Sequence, residues 1–138
     1  MDKKIKTGTL IIVRKTGLQS KRYSAGIYID NEYMGKLFDG DKQEFEIEAG
    51  VHKLRVEQGL RSGEREINIQ SSQVNNYSMR STNADYAAVF FILCAAFING
   101  MYTLPFSLQF LIYFPGLATA VYTYTLGRKA YFIIEPNE

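Results

Sequence analysis

The sequence predicts an all-β N-terminal sandwich of about seven antiparallel strands, followed by two transmembrane α-helices in a hairpin. Three observations carry that expectation. From Gly8 to Arg80 the apolar residues recur with period two, between turn signals spaced about 8–12 positions apart. All 30 charged residues lie in residues 1–85 or 128–138, so Tyr86–Gly127 is 42 residues without a charge. Of those 42, 30 are apolar, and Asn99-Gly100-Met101-Tyr102-Thr103-Leu104-Pro105 breaks the run near its middle. The mean hydropathy of −0.14 is therefore an average over two solvents.

The strands follow in order. Gly8–Lys15 holds the continuous apolar run Leu10-Ile11-Ile12-Val13 and reads as a central strand buried on both faces. Ser24–Asp30 alternates, with Ile27 and Ile29 on one side and Tyr28 on the other. Asp30-Asn31 supplies a turn, since both residues tolerate positive φ, and Tyr33–Phe38 returns. Asp39-Gly40-Asp41 is a second loop. Gln43–Glu48 and Val51–Gln58 are expected to pair as a hairpin around Ala49-Gly50. In that register Phe45 meets Leu54 on one face, while Glu46 meets Lys53 and Glu44 meets Arg55 on the other. Leu60–Gln70 and Asn75–Arg80 complete the set.

A span needs about 20 apolar residues to cross a hydrocarbon core of about 30 Å. The uncharged run thus fits two tight spans, near 86–101 and 106–126. No window in it offers the wet face that a soluble helix pair requires, though the short first span leaves a re-entrant loop as an alternative. Thr82 and Asp85 have capping-box spacing before the first helix. Thr103 with Pro105 opens the second, and Gly127 with Arg128-Lys129 closes it. Pro115 is expected to kink the second span. The organisation is residues 1–82, 83–127 and a 128–138 tail. In the tail, Tyr131-Phe132-Ile133-Ile134 reads as an added edge strand or as an interfacial segment.

Arg80 precedes the first span, Arg128 and Lys129 follow the second, and the turn between the spans is uncharged. The positive-inside rule then places both ends in the cytoplasm at the plasma (inner) membrane. Tyr86, Tyr122 and Tyr124 would form the inner aromatic belt, with Tyr102 at the outer interface. The apolar run behind the basic start is only Leu10–Val13, too short for a cleavable export signal.

Chemistry is sparsely supplied. Sixteen Lys and Arg against 14 Asp and Glu give +2, which argues against a polyphosphate or nucleic-acid surface. One His, one Cys and no Trp leave too few ligands for a zinc site. His52 shares parity with Leu54 and Val56 and reads as a structural histidine at the mouth of the expected hairpin. Cys94 lies in the apolar run and reads as an inert filler. The Glu44, Glu46 and Glu48 row reads as a solvated strand face rather than an acid pair. Gly59-Leu60-Arg61-Ser62-Gly63 lacks the spacing and the Lys of a phosphate loop. Lys3, Lys4 and Lys6 form a small basic cluster that suits anionic lipid or plain solvent. No cofactor and no catalytic or metal residue is expected. Within the spans, Ala96 with Gly100 and Gly116 with Ala120 are small residues at interval four. They suit close helix packing either within one chain or between copies. No intramembrane charge exists to serve a proton relay.

Gly8-Thr9-Leu10-Ile11-Ile12-Val13, Ile27-Tyr28-Ile29-Asp30 with Gly35, and Ala49-Gly50-Val51-His52-Lys53-Leu54-Arg55-Val56 together resemble a PEGA-type domain. Gly59 and Arg65–Ile69 match that family's closing strand. The resemblance covers Gly8–Gln70. Asn31 stands where a Gly is usual, Leu60 replaces an aromatic, and the Pro-Glu-Gly-Ala tetrapeptide is missing. It implies a small β-sandwich with a binding or scaffolding role and carries no catalytic position. The expected function is a membrane-anchored, non-catalytic module with a lipid bilayer and a protein partner or second copy as its contacts. The alternative is a hairpin-mediated oligomer serving as a small channel or as a subunit of a larger membrane complex.

Overall fold

A computed structural model of the chain describes residues 6–16 and 21–137. Lys3 and Lys4 of the basic cluster lie outside the described residues. The chain divides into two units: residues 1–81 with 129–138, and Thr82–Arg128.

The first unit holds eight strands: β1 Thr7–Arg14, β2 Ala25–Ile29, β3 Glu32–Leu37, β4 Lys42–Glu48, β5 Gly50–Gln58, β6 Arg61–Ile69, β7 Val74–Ser81 and β8 Phe132–Pro136. One sheet has the order β4-β1-β7-β8 and the other β3-β2-β5-β6. Leu10, Ile12 and Met79 from the first sheet share one buried core with Ile27, Leu54, Val56 and Ile67 from the second. The alternation read from the sequence is thus the alternation between this core and solvent. Asp30 and Asn31 make the expected turn between β2 and β3, with φ of 51° and 71°.

Two features of the pairing differ from expectation. The expected Gln43–Glu48/Val51–Gln58 hairpin does not form. β4 pairs antiparallel with β1, placing Phe45 opposite Leu10, and β5 pairs with β2 and β6. A tight two-residue hairpin needs positive φ at its first loop residue. Ala49 does not have it. The chain instead passes from one sheet to the other through Ala49, whose N–H donates to Lys6 O at 2.8 Å. Phe45 and Leu54 still serve the same core, from facing sheets rather than neighbouring strands. The second difference is that the strands are not all antiparallel, because β1 runs parallel to β7.

Arg14, at the end of β1, is fully buried. Its Nη1 donates to Leu37 O at 2.6 Å and to Tyr23 O at 2.7 Å, fastening the chain before β2 to the end of β3. Burial lowers its pKa, while Asp39 and Asp41 act in the opposite sense.

β8, which follows the helices in sequence, completes the first unit. It lies antiparallel to β7 with Ser81 opposite Phe132 and Met79 opposite Ile134. Tyr131, Phe132 and Ile134 are 2%, 4% and 5% exposed, so the tail is core. It also meets the other sheet. Tyr131 N–H donates to Ser62 O at 3.0 Å and Arg65 Nη1 donates to Ile134 O at 2.5 Å. Gly63 permits that approach, since a Cβ there would lie 2.2 Å from Phe132 O.

The second unit is a helical hairpin of α1 Ala84–Met101 and α2 Phe106–Tyr124, followed by a 3-10 turn at Gly127–Ala130. Several expected end signals are placed differently. Asn83, not Thr82, directly precedes α1 and makes no side-chain cap bond, and Asp85 lies in the first turn. Pro105 occupies the position before α2 rather than its first turn, and its carbonyl accepts from Leu108 N–H at 3.0 Å. α2 stops at Tyr124, before the expected 126. Its last turn carries no basic residue, so Arg128 and Lys129 fall in the 3-10 turn beyond it. The second helix continues through Pro115, whose carbonyl accepts from Thr119 Oγ1 at 2.7 Å.

The helices meet along Ala88 and Ala95 of α1 and Gly116 and Thr123 of α2, all buried. A Cβ on Gly116 would lie 2.7 Å from Ile92 Cγ1 and 3.2 Å from Ile92 N.

Three substitutions check these seams. Phe132→Ala should lower the stability of the strand unit by about 3–5 kcal/mol in denaturant titration of the full chain. Gly63→Val should have a comparable effect, because the Phe132 backbone must retreat. Gly116→Leu should leave the strand unit intact and speed amide exchange in α1 and α2, measured in detergent micelles.

Candidate functional site

His52 is positioned by three elements of the first unit. Its Nδ1 lies 2.6 Å from Asp30 Oδ2, in the β2–β3 turn, and its Nε2 lies 2.8 Å from Glu48 O, at the end of β4. Asp30 Oδ1 accepts in turn from Lys53 N–H at 2.8 Å. Both ring nitrogens face oxygen acceptors, which only the imidazolium satisfies fully. The hydrogen bond with Asp30 accordingly raises the His52 pKa, helped by Glu48 O. The Lys53 N–H and then His52 lower that of Asp30. His52 is therefore a fastener between strands, a structural role in line with its parity with Leu54 and Val56. Its partner Asp30 is 22 positions away and was not legible from local pattern.

The outer face of the second sheet carries a row crossing all four strands: Tyr33 (β3), Tyr28 (β2), Arg55 (β5) and Glu64 (β6). The rings of Tyr28 and Tyr33 are 5.4 Å apart and tilted by 59°. The Arg55 guanidinium lies 4.8 Å from the centre of the Tyr28 ring, a favourable cation–π distance. The two rings lie against Gly26, where a Cβ would sit 3.3 Å from Tyr28 Cε2 and 3.5 Å from Tyr33 Cε2. The expected facing of Glu46 and Glu44 by Lys53 and Arg55 is not found. Lys53 Nζ pairs with Glu64 at 2.7 Å and Arg55 Nε with Glu57 at 3.2 Å.

At its β6 end this row runs into a groove of about 590 Å³. Arg55, Glu57, Ser62, Glu64 and Arg65 form one side, and the 129–134 segment forms the other. The groove lies wholly within the first unit.

The helix-packing residues separate into two groups. Gly116 is buried against Ile92 and Ala88, and Ala120 is half-buried. Ala96 and Gly100 are exposed, and nothing lies within 4 Å of a Cβ on Gly100. The observed seam instead uses Ala88 with Ala95 and Gly116 with Thr123, each pair seven apart, the repeat of left-handed helix packing. That spacing was present in the sequence beside the interval of four. Cys94 is an exposed free thiol on α1. Of the flanking cations, Arg80 pairs with Glu135 of β8 at 3.0 Å, while Arg128 and Lys129 are exposed.

No protein-family model matches the chain, and no curated protein does. Among solved structures, it is similar to an NMR structure of a protein from Eubacterium rectale, at 14% identity and a TM-score of 0.38. That similarity covers 59% of this chain and 84% of the other.

The His52 pair gives stability a defined pH profile. The raised His52 pKa contributes stability that is fully present below its ordinary value of 6.5 and is lost as pH rises through the folded-state value. The lowered Asp30 pKa contributes stability present above its ordinary 3.8, lost as pH falls through the folded-state value. The pair's contribution should thus be greatest between those two ordinary values. Thermal melts of His52→Gln across pH should lose the decline on the alkaline side.

Proposed function

We propose that this protein is a membrane-anchored, non-catalytic binding module. Its helical hairpin crosses the plasma membrane twice, and both chain ends lie in the cytoplasm. The strand unit presents the outer face of its second sheet to a protein partner. The observation that carries anchoring is the surface of the hairpin. Phe90, Phe97 and Phe106 are 63%, 69% and 83% exposed, and the helices bury only a narrow small-residue seam against each other. Apolar surface left in water costs about 25 cal/mol per Å², and soluble monomers rarely carry apolar patches beyond a few hundred Å². Both helices have the length and hydropathy a span requires.

Ends on one side of the bilayer are supported by the β7–β8 pair, since the chain enters the hairpin just after Ser81 and returns to the strand opposite it. The uncharged turn and the basic Arg80, Arg128 and Lys129 favour a cytoplasmic side for those ends. A binding role is supported by Tyr33, Tyr28 and Arg55, residue types that dominate protein interfaces, and by the resemblance to PEGA-type domains. Gly116 is occupied by packing within the chain, which leaves Ala96 and Gly100 as the small-residue surface open to a second copy.

The test uses the full chain with Cys94→Ser and one new cysteine. The chain should resist extraction by alkaline carbonate. In intact cells an impermeant maleimide should label Tyr102→Cys, and it should label Asn31→Cys only after lysis. Carbonate-released protein contradicts anchoring, and the reverse labelling contradicts the orientation. Tyr28→Ala with Tyr33→Ala should cut partner recovered from mild detergent by at least about tenfold.

A further inference from the structure

We infer that the groove between β6 and the 129–134 segment holds the phosphate-bearing headgroup of an anionic phospholipid, a reading that rests on the proposed anchoring. The groove is lined by three cations, Arg55, Arg65 and Lys129, and two acids, Glu57 and Glu64. Both acids are already engaged. Arg55 Nε pairs with Glu57, and Lys53 reaches Glu64 from outside the lining. The Lys53 hydrogen bond holds the Glu64 carboxyl below the ordinary carboxylate range, with Arg55 and Lys129 acting in the same sense. Positive charge therefore exceeds negative at the groove, and the excess resides on Arg65 and Lys129.

Arg65 is held in place by its bond from Nη1 to Ile134 O, which leaves the other guanidinium nitrogen free of that bond. A guanidinium fork and an ammonium suit phosphate oxygens in complementary ways. Ile133, half-buried between the core residues Phe132 and Ile134, supplies an apolar contact for the part of a lipid nearest its headgroup. Chain length provides the access. Lys129 follows the last residue of α2, Tyr124, by five positions, at most about 18 Å of extended chain. When α2 spans the bilayer, one wall of the groove is thus tethered close to the headgroup layer.

The test compares full-chain protein in phosphatidylcholine nanodiscs with and without about one-third phosphatidylglycerol. It measures amide exchange of residues 129–134. Exchange should slow several-fold in the anionic discs, and the ratio between discs should fall to near one in Lys129→Gln, which leaves the Arg65–Ile134 bond in place. Arg65→Gln, compared as the same ratio, should behave alike. Removing one cation near an anionic surface weakens binding about fivefold, so the loss is readable at this lipid fraction. Equal exchange in both discs overturns the inference, as does undiminished slowing in both variants. Slowing by soluble glycerol phosphate in neutral discs overturns the lipid source. A chain that carbonate strips from membranes overturns anchoring first. A chain that stays embedded but shows no lipid-dependent ratio overturns the groove alone.

Discussion

Ser81 faces Phe132 across an antiparallel ladder whose two strands are separated in sequence by the whole helical hairpin. Closing so long a loop carries an entropic cost that grows with the logarithm of its length. The hairpin lowers that cost, because α1 and α2 pack against each other and bring their outer ends together. The strand pair contributes in return by delivering Tyr131, Phe132 and Ile134 to the core. The two units are thus coupled through the chain, whatever their mutual placement. Residues 1–82 do not make a complete domain, since without β8 the β7 edge is bare and a wall of the core is missing.

This constraint also orders the other interactions by magnitude. Core burial at Phe132 or Leu54 is worth several kcal/mol. The exposed pairs Lys42–Glu44, Lys53–Glu64 and Arg80–Glu135 are each worth about 0–1 kcal/mol. Those pairs set the positions of charges on the surface and in the groove more than they hold the fold. Arg14 and His52 differ, because each fastens backbone from separate strands through short, charge-assisted bonds.

Much of the fold was legible in the sequence, and the parts that were not share a cause. Period-two alternation identifies which residues face the core, and Ile27, Ile29, Leu54 and Val56 all do. Alternation does not identify the neighbouring strand, because Phe45 and Leu54 satisfy it equally well across a hairpin or across a sandwich. The β4–β1 and parallel β1–β7 pairings are long-range and leave no local mark. The Tyr33–Tyr28–Arg55–Glu64 row depends on the β2–β5 pairing, which is also long-range, so it stayed hidden although each residue's outward parity was readable. The hairpin was legible from its missing charge. Its seam was half legible: Gly116 stood out, while Ala88, Ala95 and Thr123 needed a spacing of seven rather than four.

The coupling between the apolar hairpin and the strand unit is tested most directly by a disulfide between Ser78→Cys and Glu135→Cys in a Cys94→Ser background. These positions face each other in β7 and β8. In native membranes, mild oxidation should cross-link the pair within one chain, since opposed strand residues lie about 5 Å apart. If both cysteines react freely with maleimide yet never cross-link in membrane-embedded protein, the strands are not paired there and the account fails.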